Sequence, residues 1–257
     1  LKKPEFVFLA AAKVGGILAK STYKADFIYD NLMIQSNVIK NAHKYDVKKL
    51  LFLGSSCIYP KESPQPIKEE YLLSGLLEAT NEPYAIAKIA GLKMCAYFRD
   101  PYECNFISAM PTNLYGPNDN FNLKTSHVFA ALIRKFHEAK FQNLSEIELW
   151  GTGNPKREFL HVDDLAEALI FLMNNYDSNS TINVGTGEDV SIKELANNMQ
   201  KLIGFNGAIH WNEGMPDGTP RKLLNVSKIN NLGWKSRIEL TKGIEQTYRW
   251  YTEKIGN

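Results

Sequence analysis

The chain has 257 residues, 44% hydrophobic and 23% charged, with 30 Lys and Arg against 28 Asp and Glu for a net charge of +2. This excludes the disordered and low-complexity classes and leaves enough apolar material for one large domain or one and a half. The interleaved charges argue against a nucleic-acid surface, no apolar run approaches the ~18 residues of a membrane span, and Leu1-Lys2-Lys3-Pro4-Glu5 lacks the apolar stretch of a signal peptide, so a cytoplasmic protein is expected.

In chain order, short apolar runs alternate with longer segments of helical period, the pattern of β-α units around a parallel sheet. Phe6 to Ala10 reads as a buried strand, and Asn31 to Tyr45 as a helix with Leu32, Ile34, Val38 and Ile39 on one face. Leu50 to Leu53 is a second buried strand. A polar loop leads to a helix over Tyr84 to Phe98 and a strand over Phe106 to Met110. Beyond it, Ile147 to Trp150 and Thr181 to Val184 read as short strands, with helices near Ser126 to Ala139 and Asp164 to Asn174. Ser191 and Glu194 form a capping box for a helix reaching Ile203, and a last amphipathic helix covers Leu240 to Glu253.

A glycine-rich dinucleotide turn is not found. Gly185-Thr186-Gly187 and Gly151-Thr152-Gly153 lack the third glycine, with Val190 and Lys156 in its place, and read as tight turns. Gly15-Gly16 is the nearest approach and suits a loop passing close to a ligand. Cys57, Cys95 and Cys104 cannot all pair within one chain and have no metal-ligand spacing; no metal site is expected.

Tyr-x-x-x-Lys occurs at Tyr45/Lys49 and at Tyr84/Lys88. That spacing puts an ammonium one helical turn beyond a phenol, where it would draw the phenol pKa down from about 10 and make it an acid for a carbonyl or alcohol oxygen. Tyr45 runs straight into the next strand, so Lys49 is expected to face solvent or cap its own helix. Tyr84, in contrast, follows Gly54-Ser55-Ser56-Cys57 at the end of a buried strand, where ligands of open parallel sheets bind. Taken alone, Ser55 and Ser56 have a polar turn as their alternative reading, and Cys57 reads as a buried packing residue.

Ser55, Tyr84 and Lys88 together resemble the catalytic trio of the extended short-chain dehydrogenase/reductase family. The runs GSSCIYP, NEPYAIAKIAG, MPTNLYGPNDNF, SHV and REFLHVDD are similar to those of its members that act on GDP-linked 4-keto-6-deoxy sugars, over about Phe6 to Trp250. The resemblance implies an α/β fold: a Rossmann-like doubly wound parallel sheet and a smaller α/β C-terminal substrate domain. It divides the chain at residues 1–125 for NADP and 126–257 mainly for the GDP-sugar, with residues 160–190 returning to the first part.

It further implies an NADP-dependent oxidoreductase with epimerase activity, which epimerises GDP-4-keto-6-deoxy-D-mannose at C3 and C5 and reduces C4. Cys57 and His127 would be the epimerisation base and acid, groups that titrate near neutrality, while Tyr84, assisted by Lys88 and Ser55, would protonate the C4 oxygen. Leu53, Gly54, Ser55, Ser56, Lys88, Pro111, Thr112, Asn113, Leu114 and His127 would hold NADP(H). Lys135, Trp150, Arg157 and Asp217 would hold the GDP-sugar, with surface salt bridges the alternative for the two cations. A homodimer through the helices Asn31 to Tyr45 and Tyr84 to Phe98 is implied as well.

The remaining histidines, His43, His137, His161 and His210, have no partner legible in the sequence; His137 is expected on a polar helix side, and His161 just ahead of N-cap residues Asp163 and Asp164. Other nucleotide-sugar 4-epimerases, dehydratases or reductases, and a non-catalytic GDP-sugar-binding protein, stay open. The Leu1 start reads as the edge of a truncation, because a doubly wound fold needs about 50–60 residues ahead of Phe6 for its first units. With those residues present a working reductase is expected, without them a crippled NADPH site.

Overall fold

The structure is a computed structural model that describes residues 3–123, 125–215 and 217–254, and no side chains for 17–19. Leu1 and Lys2, at the N-terminus considered above, lie outside the described residues.

The chain forms β1 (Phe6–Leu9), α1 (Ile17–Thr22), α2 (Lys24–Lys44), β2 (Lys49–Leu53), α3 (Glu82–Tyr102), β3 (Phe106–Pro111), β4 (Asn113–Tyr115), α4 (Val128–Phe141), β5 (Glu146–Trp150), β6 (Lys156–Arg157) and β7 (Phe159–His161). It continues with α5 (Val162–Asn175), β8 (Ile182–Val184), β9 (Val190–Ser191), α6 (Ile192–Ile203), β10 (Ala208–Asn212), β11 (Arg221–Lys222), α7 (Ser227–Asn231) and α8 (Leu240–Lys254). Four strands make a parallel sheet in the order β1-β2-β3-β8, with Leu50 opposite Phe106 and Ala109 opposite Ile182. Helices α2 and α3 pack together on one face and α5 lies against β2 on the other. Cover on both faces is why Leu50, Leu51 and Phe52 are buried in succession, without the alternation of a half-exposed strand. The apolar core falls into two clusters, one around this sheet and α5, the other joining α4, β5, α6 and α8 with Tyr115, Phe121 and Phe159.

Several expectations are corrected. Strand β1 is not buried, since it lies at the sheet edge with Phe6 and Phe8 half-exposed. Helix α2 begins seven residues before Asn31, and its most buried positions include the polar Asn31 and Gln35. These are satisfied by bonds to backbone carbonyls: Asn31 Nδ2 donates to Phe27 O and Lys13 O, and Gln35 Nε2 to Ala87 O. Lys49 neither faces solvent nor caps its own helix; buried at the start of β2, its Nζ donates to Tyr176 O (2.6 Å) and Leu172 O (3.4 Å), two carbonyls at the end of α5.

His161 is itself the N-cap of α5, its Nδ1 accepting from Asp163 N, whereas Asp164 turns away to accept from Arg237 N and Ile238 N. His137 is buried against Phe141 and Tyr251, with Tyr248 Oη 3.2 Å from its Nδ1, because the α4 face it shares turns toward α8. His43 meets Cys104 Sγ at 3.4 Å and His210 meets Glu146 at 2.9 Å, partners that lie far away in sequence. The Ser191–Glu194 capping box forms as read, and Gly204 ends α6 in the left-handed region.

Gly243 on α8 is dictated by close approach: a Cβ there would lie 2.0 Å from Tyr115 Oη. Alanine is the better helix former by about 1 kcal/mol, but the overlap with a buried aromatic outweighs that. Gly243→Ala is expected to destabilise the fold by about 1–3 kcal/mol in urea unfolding; unchanged or greater stability would mean that α8 shifts without cost.

Candidate active site

The site is built at the carboxyl ends of β2 and β3. Ser55 follows β2 in extended backbone and caps the short 3-10 helix Ser56–Ile58, its Oγ accepting from Cys57 N at 3.3 Å. The cap folds the chain back so that Ser55 and Cys57 share one end of the sheet. Asn81, just before α3, donates from Nδ2 to Cys57 O (3.4 Å), which fixes the helix start against this turn. One turn into α3, the buried Tyr84 hydroxyl shares a hydrogen bond with Ser55. One turn further, Lys88 reaches back to donate to Leu53 O at 2.8 Å. Ser55, Cys57, Tyr84 and Lys88 are thus brought together.

The electrostatics differ from the expectation for Tyr84. The Lys88 ammonium is drawn toward the strand end and lies 5.9 Å from the Tyr84 ring centroid. Burial, together with the nearby Cys57, pushes the phenol above the usual tyrosine range, and the bond to Ser55 only partly opposes this. Burial lowers Lys88 to about 8. Cys57 moves the other way, down to about 7: burial of the thiol opposes the shift, but the charges of Lys222 and Lys20 and the Ser55 bond outweigh it. Lys222 Nζ lies 3.7 Å from Cys57 Sγ. Lys20, buried, donates to Asn81 Oδ1 at 2.7 Å and stands 4.3 Å from the Tyr84 ring centroid.

His127 is the exposed N-cap residue of α4, and the surrounding protein together with the Lys20 charge lowers its imidazole from the usual histidine value. The loop before it touches Gly16, whose N donates to Thr125 O at 3.1 Å and whose Cβ position lies 3.1 Å from Ser126 O. The close approach shown for Gly16 is thus to backbone.

The residues expected to hold the GDP-sugar are linked pairwise, Lys135 to Trp150 and Arg157 to Asp217. Lys135 lies 5.8 Å from the exposed Trp150 ring and donates to Glu148 O. The Gly151–Gly153 turn is held by Asp217, which accepts from Thr152 N and Oγ1, both at 2.7 Å. Arg157, half-buried, feels Asp217 and Cys57, and parallel pairing of β6 with β11 sets Lys222 opposite it. After β3, the Asn113 amide at the start of β4 donates to Glu158 O at 2.9 Å, and Thr112 Oγ1, between the two strands, donates to the same carbonyl.

Three residues that sequence reasoning missed organise this region: Lys20, Lys222 and Glu158. The fully buried Glu158 carboxylate accepts from Gly187 N (2.8 Å) and Leu224 N (2.9 Å), stapling the turn after β8 to the segment after β11. Burial raises its pKa while these bonds work against the shift. An acid placed directly before the apolar pair Phe159-Leu160 was the one signal available for it; Lys20 and Lys222 carry no local pattern at all.

A nicotinamide cofactor fits one end of the site. The Lys88 ammonium has three N–H donors, of which Leu53 O takes one; its other contacts among the described residues are the Phe52 and Tyr84 ring faces, so a nearly inaccessible cation keeps donor capacity beside the end of β2. Ribose hydroxyls have the chemistry to satisfy it.

Residues 1–185 match the NAD-dependent epimerase/dehydratase family, and the chain belongs to it. It is 59% identical over 253 residues to a probable GDP-L-fucose synthase 1 of Oryza sativa subsp. japonica, covering 98% of this chain and 77% of that protein. It is 55% identical over 256 residues to the GDP-L-fucose synthase of Escherichia coli K12, covering 96% and 80%. Among solved structures, the GDP-mannoheptose C4 reductase from Campylobacter jejuni with NADP bound superposes with a TM-score of 0.87 at 42% identity, covering 97% of this chain and 83% of that one.

Proposed function

We propose that the protein carries out the GDP-L-fucose synthase reaction, epimerising GDP-4-keto-6-deoxy-D-mannose at C3 and C5 and then reducing C4 with NADPH. The observation that carries this reading is a thiol tuned to about 7 at the same strand end as Ser55, Tyr84 and Lys88. A simple C4 reductase or 4-epimerase has no use for such a base.

The keto group acidifies the carbons beside it. Cys57, as thiolate, removes the proton from C3 or C5, the electron pair passes to the C4 oxygen, and His127 returns a proton from the opposite side. Tyr84 is a fully protonated phenol at neutral pH, which suits a donor to the C4 oxygen, with Ser55 holding that oxygen. The phenolate left behind faces Lys20 and Lys88. The chemistry supplied by bound NADPH is a hydride for C4. Leu53 to Ser56, Lys88, Pro111 to Leu114 and His127 are the residues proposed to hold it, and Lys135, Trp150, Arg157 and Asp217 to hold the GDP-sugar. A cytoplasmic homodimer belongs to the same proposal, supported by the exposed Tyr29 and Met33 on α2 and Ile86 and Tyr97 on α3.

Incubation with NADPH and the GDP-keto sugar tests the reading, with NADPH consumption followed by absorbance and the product by NMR. GDP-L-fucose is the expected product. Formation of only the unepimerised alcohol, or turnover of a GDP-heptose alone, would replace the reading with a C4 reductase, and GDP binding without turnover would reduce it to a binding protein.

A further inference from the structure

We propose that Lys222 is a positioning residue for the epimerisation step, the cation that holds Cys57 in its thiolate form so that it is ready to take a proton. The inference rests on the function proposed above and deepens it.

Lys222 is firmly placed. Its strand β11 pairs in parallel with β6, Arg221 opposite Lys156 and Lys222 opposite Arg157. The two residues that follow are tied down in succession: Leu223 N donates to Gln65 Oε1 (2.9 Å), Leu223 O accepts from Ile67 N (2.7 Å), and Leu224 N donates to the buried Glu158 carboxylate (2.9 Å). A flexible lysine stem thus springs from an immobile backbone, and its Nζ donates to Cys57 Sγ at 3.7 Å. Sulfur is a weak acceptor as a thiol and a strong one as a thiolate, so this contact favours the charged form.

The other charged and titratable groups around Cys57 do not make Lys222 redundant. Lys20, from α1, is committed to Asn81 Oδ1 and to the face of Tyr84. Arg157, from β6, donates to Lys156 O and lies toward Asp217. Glu78, ahead of α3, bonds Thr80 and weakens the field of both lysines, and Tyr84 adds no cation. Lys222 is the cation in direct hydrogen-bond contact with the sulfur. In the reaction the S–H bond forms as the C–H bond breaks and its electron pair moves to the C4 oxygen. The ammonium keeps its own protons throughout.

The experiment is alkylation of Cys57 by iodoacetamide across pH, quantified on the Cys57 peptide by mass spectrometry, in the wild type, Lys222→Met and Lys222→Arg. The wild-type midpoint is expected at about 7. In Lys222→Met it should rise by at least about one pH unit, which cuts the thiolate fraction at neutral pH several-fold, while Lys222→Arg keeps the wild-type midpoint. In parallel, kcat for exchange of the C3 and C5 protons with deuterium should fall by a similar factor, with KM little changed. Should the methionine variant lose its fold by circular dichroism, Lys222→Gln is read in its place. An unmoved midpoint in a folded variant overturns the proposal, as does a raised KM with an unmoved midpoint, which would assign Lys222 to the substrate diphosphate. Alkylation needs no substrate, so a shifted midpoint in a protein without epimerase activity would retire the proposed function and leave the Lys222–Cys57 coupling standing.

Discussion

Cys57→Ser is expected to abolish exchange of the sugar C3 and C5 protons while hydride transfer to C4 continues. The two side chains are nearly the same size and the oxygen can keep a bond to Lys222, so the fold has little reason to respond. What changes is acidity. A thiol brought to about 7 is half-ionised at neutral pH, whereas an alcohol in the same place stays protonated. Loss of a positioned base costs about 10²–10⁴ in rate, so exchange should drop by at least ~100-fold and NMR should show the unepimerised alcohol as product. The pH dependence has a definite sign: the working form is the thiolate, so wild-type epimerisation is lost as pH falls through about 7. Equal loss of epimerisation and reduction would refute the division of labour between Cys57 and Tyr84.

Tyr84→Phe tests the other half. It deletes one hydroxyl from a buried ring that remains packed under Lys20, and the Ser55 bond it removes is worth about 0.5–1.5 kcal/mol, so a folded variant is expected. The C4 oxygen then has no phenolic proton donor, and reduction should slow by about 10²–10⁴. Exchange at C3 and C5, carried by Cys57 and His127, should persist within about tenfold, a smaller effect than loss of a direct acid or base. If exchange falls as far as reduction, Tyr84 also stabilises the enolate and the two reactions share it.

The local readings that succeeded are those with a short-range physical cause. Helical spacing keeps Tyr84 and Lys88 on one face of α3, and an apolar run flanked by polar residues marks β2 with Ser55 to Cys57 at its end. The Ser191–Glu194 box formed because both of its bonds close within a single turn. Where a residue's role depends on a distant partner, the local reading failed. The Tyr45/Lys49 pair has the same spacing as Tyr84/Lys88, yet Lys49 serves the end of α5, because sheet pairing carries it out of the helix and under Leu172 and Tyr176. His137 looked polar beside Arg134 and Lys135, but α8 covers its face. The phenol pKa went in the opposite direction because burial dominates over a lysine whose ammonium is engaged by Leu53 O.

By itself, the sequence determined the α/β alternation and the strand end where hydroxyl, thiol, phenol and ammonium come together, since these follow from periodicity and from contacts within a few turns of chain. Only the tertiary structure decided the charge state of that site. Lys20 and Lys222 reach Cys57 from 37 and 165 residues away, and Coulomb interaction and desolvation depend on separation in space and on burial, neither of which is written in the order of the residues.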